Sequence, residues 1–139
     1  CGANNEKGGR IIAVDLSPRC LRDLVHLSTL RPGLVPVLGD ARKHAAWGIM
    51  VDNKVDWLLQ DVSQAGQADI FIKAVKRFLK PGGKGLLSLK AASERFSEGG
   101  EREVFKQVRT QLEDAGLNIE EQIDLHGLED NHCLYFVTN

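Results

Sequence analysis

The sequence predicts an α/β protein with a mostly parallel sheet and an antiparallel edge hairpin at the C-terminal end. Three observations carry this. Short apolar runs of strand length alternate with stretches of helical periodicity, Gly and Pro fall at the changeovers, and the last two β-rich runs have no helix between them. Alternation implies parallel strands joined by crossover helices, with helices on both faces of the sheet.

Each element has its own signal. Residues 10–16 form an apolar run between Gly8-Gly9 and Ser17-Pro18, which reads as a buried strand. Ser17 is a natural N-cap with Pro18 at the first helical position, and Leu21, Leu24, Val25 and Leu27 recur at helical spacing up to the break at Arg31-Pro32-Gly33. A strand over 34–38, a loop over 39–53 and a strand over 55–59 follow. A helix from about 64 to 79 then stops at Pro81-Gly82-Gly83, to which we assign a purely structural turn. After a strand over 85–89 and a polar loop over 91–100, Val104, Phe105, Val108 and Leu112 mark one face of a helix over 101–115 that Gly116 ends. The closing strands span about 118–125 and 132–137.

Composition narrows the function classes. The 139 residues, against a prior of about 150 per domain, predict one domain over 1–139. Apolar residues are 42% and charged residues 27%, an ordinary globular balance rather than a disordered or disulfide-scaffold one. Eighteen basic against nineteen acidic side chains leave a net charge of -1, so no bulk positive field draws the chain onto nucleic acid; an RNA substrate would need a partner's help. Cys1, Cys20 and Cys133 are odd in number and widely spaced, which disfavours a disulfide framework or structural zinc and suits a reducing, intracellular setting. The longest apolar stretches fall far short of the roughly 18 residues of a spanning helix, so no membrane partner is expected. The chain opens on Cys1 rather than Met, and residues upstream are expected.

In open parallel sheets ligands sit at the carboxyl ends of the strands, so the residue after each strand is informative. Here those positions hold Asp15, then Gly39-Asp40-Ala41, then Gln60-Asp61-Val62, then Lys90. Asp15 suits a carboxylate accepting from ribose hydroxyls, or a charge favouring the following helix dipole. Asp40 could accept from an exocyclic amine such as that of adenine, or simply form a turn. Asp61 and Lys90 lie on consecutive strands and could meet within salt-bridge range, as a tuned proton-transfer pair or as a surface ion pair. His26, His44 and His126 read as packing or surface residues. His132 opens the last strand, at the rim where the parallel strands end. Phosphate-binding loops, nucleophile elbows and metal-ligand clusters are missing from the sequence, which counts against NTPase and hydrolase readings.

These rim residues, taken together, resemble the fibrillarin family over about residues 9–139. The matching pieces run from Ala13 to Arg19 and from Pro36 to Arg42. They continue with Asp61-Val62-Ser63-Gln64 followed by Gln67-Ala68, then Leu87-Ser88-Leu89-Lys90, then Glu129-Asp130-Asn131-His132-Cys133. The resemblance implies a Rossmann-like class I fold and RNA ribose 2′-O-methylation of rRNA or tRNA, with S-adenosylmethionine as methyl donor. It implies Asp15 and Leu16 at the donor's ribose and adenine, Asp40 and Ala41 at the adenine amine, and Asp61 and Gln64 near its methionine end. The glycine-rich turn survives only as Gly2 and Ala3. Of the family's catalytic Lys, Asp, Lys, His set, the last three match Asp61, Lys90 and His132. Implied partners are a box C/D-type guide RNA with its target RNA, a Nop-domain scaffold protein and a kink-turn-binding ribosomal-type protein. The compartment would be cytoplasmic in an archaeon and nucleolar in a eukaryote.

The chain also departs from that family. Between Gly2-Ala3 and the strand at 10–16 there is no room for the expected helix, so the central first strand, the glycine-rich turn and the first catalytic Lys are expected upstream or are lost. His126-Gly127-Leu128 replaces the family's Glu-Pro-Tyr, and Val62-Ser63-Gln64 its Val-Ala-Gln. Two further readings follow: an inactive structural subunit of the same fold, and a small-molecule methyltransferase.

Overall fold

In the computed structural model, residues 8–94 and 100–139 are described. They belong to two compact units, Cys1–Asp52 and Asn53–Asn139.

In the first unit, β1 (Ile11–Asp15) and β2 (Leu34–Leu38) pair in parallel, with Ile11 opposite Leu34 and Asp15 opposite Leu38. Between them runs α1 (Pro18–Leu30). Its start is set as the sequence predicts: the Ser17 hydroxyl accepts from the Cys20 amide at 3.3 Å, and Pro18 occupies the first turn, where a missing N–H costs nothing. The segment read as a loop over 39–53 instead holds α2 (His44–Trp47) and a single 3-10 turn (Gly48–Met50). The cause is Trp47, whose indole N–H donates to the Asp40 carbonyl at 2.8 Å and whose ring meets His44 edge-on at 5.3 Å. A Cβ on Gly39 would lie 2.6 Å from the Trp47 ring, so glycine is what lets the indole close over this corner.

The second unit is a four-stranded sheet in the order β3-β4-β6-β5, made of β3 (Val55–Asp61), β4 (Leu79–Lys90), β5 (Asn118–Asp124) and β6 (His132–Thr138). β3 and β4 are parallel, and β6 runs antiparallel to both β4 and β5, which is the edge hairpin the sequence predicts. Two helices, α3 (Gln67–Phe78) and α4 (Gly100–Asp114), supply the covering layer. Alternation decides the faces. Leu87, Leu89, Cys133, Tyr135 and Val137 are fully buried in one core with Phe71, Val75 and Leu112 of the helices. The Tyr135 hydroxyl donates to the Phe105 carbonyl at 2.7 Å, so the core's largest polar group is satisfied. At the end of α4, Gly116 (φ +87°) donates to Glu113 and Leu117 to Leu112, the double bond of a Schellman cap with its apolar contact.

Pro81-Gly82-Gly83 differs from the sequence reading. α3 already ends at Phe78, and the tripeptide lies inside β4, where the partners jump from Val55 opposite Leu79 to Trp57 opposite Lys84. The extra residues leave the ladder with β3 and find bonds elsewhere. Gly82 donates to the Asn139 carbonyl at 2.8 Å, and the Asn139 amide donates to Gly83 at 3.1 Å.

Candidate active site

The sheet register of the second unit brings Asp61, Lys90 and His132 to one face at one end. Asp61 is the parallel partner of Ser88, Lys90 lies two residues beyond Ser88, and Lys90 is the direct antiparallel partner of His132. Because side chains alternate with a period of two, all three project from the face opposite the buried core. From strand spacing and rise, the Cα atoms of Asp61 and Lys90 are about 8 Å apart, and those of Asp61 and His132 about 12 Å.

Their surroundings differ. Asp61 is exposed and Lys90 half-buried, with no ion pair between them among the described residues, so the proposed Asp61–Lys90 contact is not formed. His132 is 6% exposed although it lies on the open face, because the turn before it folds over the ring. Asn131 adopts φ +64°, a left-handed conformation that asparagine tolerates, and its carbonyl accepts from Ala91 at 2.8 Å. The His132 Nδ1 lies 3.0 Å from the Asp130 carbonyl, which can only accept, so Nδ1 carries the proton. That leaves Nε2 facing the Glu129 carboxylate at 3.5 Å. The adjoining Cys133 is a core residue, and burial pushes its thiol up.

In the first unit, Asp15 ends β1. Its carboxylate accepts from the Ser17 amide at 2.7 Å through one oxygen, and its carbonyl accepts from Gly39 at 2.9 Å. Leu16 beside it is 54% exposed. Asp40 is 8% exposed, and Arg42 encloses it: the Arg42 amide at 2.9 Å, Nε at 3.0 Å and Nη2 at 2.7 Å fill most of the roughly four acceptor sites of the carboxylate. The side-chain bond from Arg42, then its amide, holds the Asp40 carboxyl down at about 2. Ala41 follows in the same turn, while Gly2 and Ala3 lie outside the described residues.

Gln64, in the loop between β3 and α3, has a buried Oε1 with no hydrogen-bond partner among the described residues. Such an acceptor is suited to a donor brought by a ligand, such as an ammonium.

Sequence reasoning gave no role to three residues. Trp47 falls in the segment that the sequence reads as a loop, although a Trp following a Gly-Asp pair is an available signal. Gln67 is fully buried at the start of α3 and bonds the Lys90 backbone twice, and Glu94 bonds Gln67 and the Gly66 amide. Gln67 appeared only as a letter in the matching string, and Glu94 not at all.

Parallel strand pairs with acids at their carboxyl ends, intervening helices and an antiparallel closing hairpin define a Rossmann-like α/β fold. The family model described as Fibrillarin matches residues 5–139. The chain is 35% identical over 127 residues to a fibrillarin-like rRNA/tRNA 2′-O-methyltransferase of Methanocaldococcus jannaschii, covering 91% of this chain and 54% of that protein. Among solved structures, Aeropyrum pernix fibrillarin in complex with natively bound S-adenosyl-L-methionine has a TM-score of 0.79 at 35% identity, covering 93% of this chain and 55% of that one. A fibrillarin/Nop5p complex has a TM-score of 0.84 at 31% identity, over 93% and 60%. This chain therefore belongs to the fibrillarin family. It spans about half the length of the curated relative it matches.

Proposed function

We propose that this protein is an S-adenosylmethionine-dependent RNA ribose 2′-O-methyltransferase, acting on rRNA or tRNA within a guide-RNA ribonucleoprotein. The observation that carries the reading is the convergence of Asp61, Lys90 and His132 on one sheet face, through adjacent and directly paired positions. Relatives named for this activity, and a fibrillarin solved with the methyl donor bound, support it. We read both units as parts of one methyltransferase domain, since a single family match runs through them.

The donor supplies a methyl group already activated on a sulfonium, so the protein's task is orientation and proton removal. Asp15 would hold ribose hydroxyls through its free carboxylate oxygen, with Leu16 against the adenine. Asp40 and Ala41 would meet the adenine amine, and Gln64 and Asp61 the methionine end. Gln64 fits because its buried Oε1 is an acceptor awaiting a partner. Lys90 assists removal of the 2′-hydroxyl proton as that oxygen attacks in line, while Asp61 and His132 position and polarise the reacting groups.

The near-neutral charge supports reliance on partners for RNA affinity. A fibrillarin has been solved with Nop5p, which supports a Nop-domain scaffold here. The guide RNA, target RNA and kink-turn-binding protein complete the proposed assembly.

The test is Lys90→Ala in the full-length protein reconstituted with guide RNA and scaffold. Methyl transfer should be abolished while calorimetry shows donor binding nearly unchanged. Wild-type activity in that variant would remove Lys90 from the mechanism; absence of donor binding by the unmutated protein would favour an inactive subunit, and transfer to small molecules without guide RNA a different substrate class.

A further inference from the structure

A fully buried glutamine, Gln67, stands in for a missing strand at the residue on which proton removal is proposed to depend. The register shows why one is needed. Ala91 donates to Asn131, which makes 91 and 131 a hydrogen-bonded pair, so Lys90 and His132 are a non-hydrogen-bonded pair. The Lys90 N–H and C=O therefore point away from β6, toward the β3 side. But β3 pairs no further than Asp61 opposite Ser88, two residues short of Lys90. Left so, two backbone groups in a half-buried setting would lack partners.

Gln67 supplies both. Its Oε1 accepts from the Lys90 amide at 2.9 Å, and its Nε2 donates to the Lys90 carbonyl at 2.9 Å. The side-chain amide thus makes the pair of bonds that another strand would make. It is held in turn from three directions. Nε2 also donates to Glu94 Oε1 at 3.0 Å, the Gln67 amide donates to the same oxygen at 2.9 Å, and the Gln67 carbonyl accepts from Gln60 Nε2 at 2.8 Å. Gln60 is 6% exposed and immediately precedes Asp61 on β3. The second Glu94 oxygen takes the Gly66 amide at 2.9 Å, so one carboxylate closes the start of α3 and steadies the glutamine together. The chain Gln60–Gln67–Lys90 therefore joins the carboxyl ends of the two strands that carry Asp61 and Lys90.

We infer that Gln67 is a positioning residue for methyl transfer, fixing the Lys90 backbone relative to Asp61 through this clamp. The inference rests on the proposed role of Lys90. An apolar residue would serve the buried position as well for packing alone, so a structural role and a positioning role make different predictions.

The experiment compares Gln67→Met, which keeps side-chain length but makes neither bond, with Phe71→Leu, a core change one turn along α3 that leaves the clamp intact. Glu94→Gln is the milder second variant, its single carbonyl oxygen unable to serve both the Gly66 amide and the two Gln67 donors. All are made in the full-length protein. In Gln67→Met the Lys90 amide should exchange with solvent faster than in Phe71→Leu at matched loss of melting temperature. Its single-turnover methyl transfer should fall about 10- to 100-fold with donor affinity unchanged, the scale expected when a reacting group is displaced by about an ångström. Glu94→Gln should show the same pattern at smaller size. Unchanged Lys90 exchange in both variants, or a rate loss no larger than in Phe71→Leu, overturns the inference. Faster exchange with full activity would keep the clamp and sink the positioning role, whereas failure of the reading on which it rests would show instead as full activity in Lys90→Ala.

Discussion

The two units of this chain hold their candidate site residues by different means. Among the described residues of Asn53–Asn139, fifteen form one buried core, and the sheet laid on it fixes Asp61, Lys90 and His132 by register. Among the described residues of the first unit, Val37 and Trp47 are the buried apolar side chains; α1 buries no residue, and Val25 and Leu30 on it are 49% and 65% exposed. Among its described residues, two strands, the thirteen-residue α1, the four-residue α2 and one 3-10 turn enclose little apolar surface. There Asp15 and Asp40 are held instead by short-range bonds, to Ser17 and to Arg42, each two residues away. Long-range packing sets one group of site residues, and local hydrogen bonding sets the other.

The sharpest way to break that contrast is to truncate one apolar side chain to alanine in each unit. Phe71 is fully buried, and Phe71→Ala should cost about 3–5 kcal/mol. Val25→Ala on α1 should stay within about 0.5 kcal/mol, as at an exposed position. Trp47 and Trp57 give each unit its own fluorescence probe, so denaturant midpoints read with one tryptophan replaced at a time measure both effects. Comparable losses from the two substitutions would show that α1 is covered in solution, and the contrast would fail.

A smaller effect sharpens the comparison by isolating polar bonding inside the packed unit. Tyr135 is completely buried, and its hydroxyl donates to the Phe105 carbonyl across the sheet–helix interface. Tyr135→Phe removes that bond while the Phe105 carbonyl keeps its place in the ladder of α4, and should cost about 0.5–1.5 kcal/mol at constant shape. Burial, the largest cause, drives the phenol's pKa upward, so it remains a donor throughout the ordinary pH range, and the loss should be independent of pH. A measured cost near zero would mean that water reaches the carbonyl.

The same division explains what could be read from the sequence. Strand-length apolar runs, the Ser17-Pro18 helix start and the Gly116 stop are local signals, and each element stands where its signal does. The positions of Asp61, Lys90 and His132 were legible as strand ends, because the strand-end rule needs only the alternation of elements. Three things were not legible, and all depend on partners far along the chain. The bulge at Pro81-Gly82-Gly83 is held by Asn139, more than fifty residues on. The turn that buries His132 depends on Ala91, and the clamp on Lys90 on Gln67 and Glu94. A buried glutamine has no periodic signature; its role exists only once two strands of unequal length lie side by side.

The smallest predicted effect belongs to the locally built side, where it tests whether Arg42 alone governs Asp40. Asp40 has its carboxyl held at about 2 in the folded protein, against an ordinary 3.8. Because the folded value is depressed, the unfolded chain takes up protons first as the pH falls. The stabilisation is therefore complete above the ordinary carboxylate value and is lost as pH falls through about 2. Arg42→Met keeps the side-chain stem and the backbone bond while removing the guanidinium, the largest cause of the shift. Carbon-detected NMR titration should then show the Asp40 midpoint rising from about 2 toward 3.8, and the acid loss of stability in the first unit becoming shallower over that interval. The Trp47 indole bond goes to the Asp40 carbonyl rather than its carboxylate, so the turn itself should persist in the variant. A midpoint that stays near its original value would mean that backbone amides, and not the arginine fork, hold the carboxylate, and that even this local site is fixed by chain geometry more than by charge.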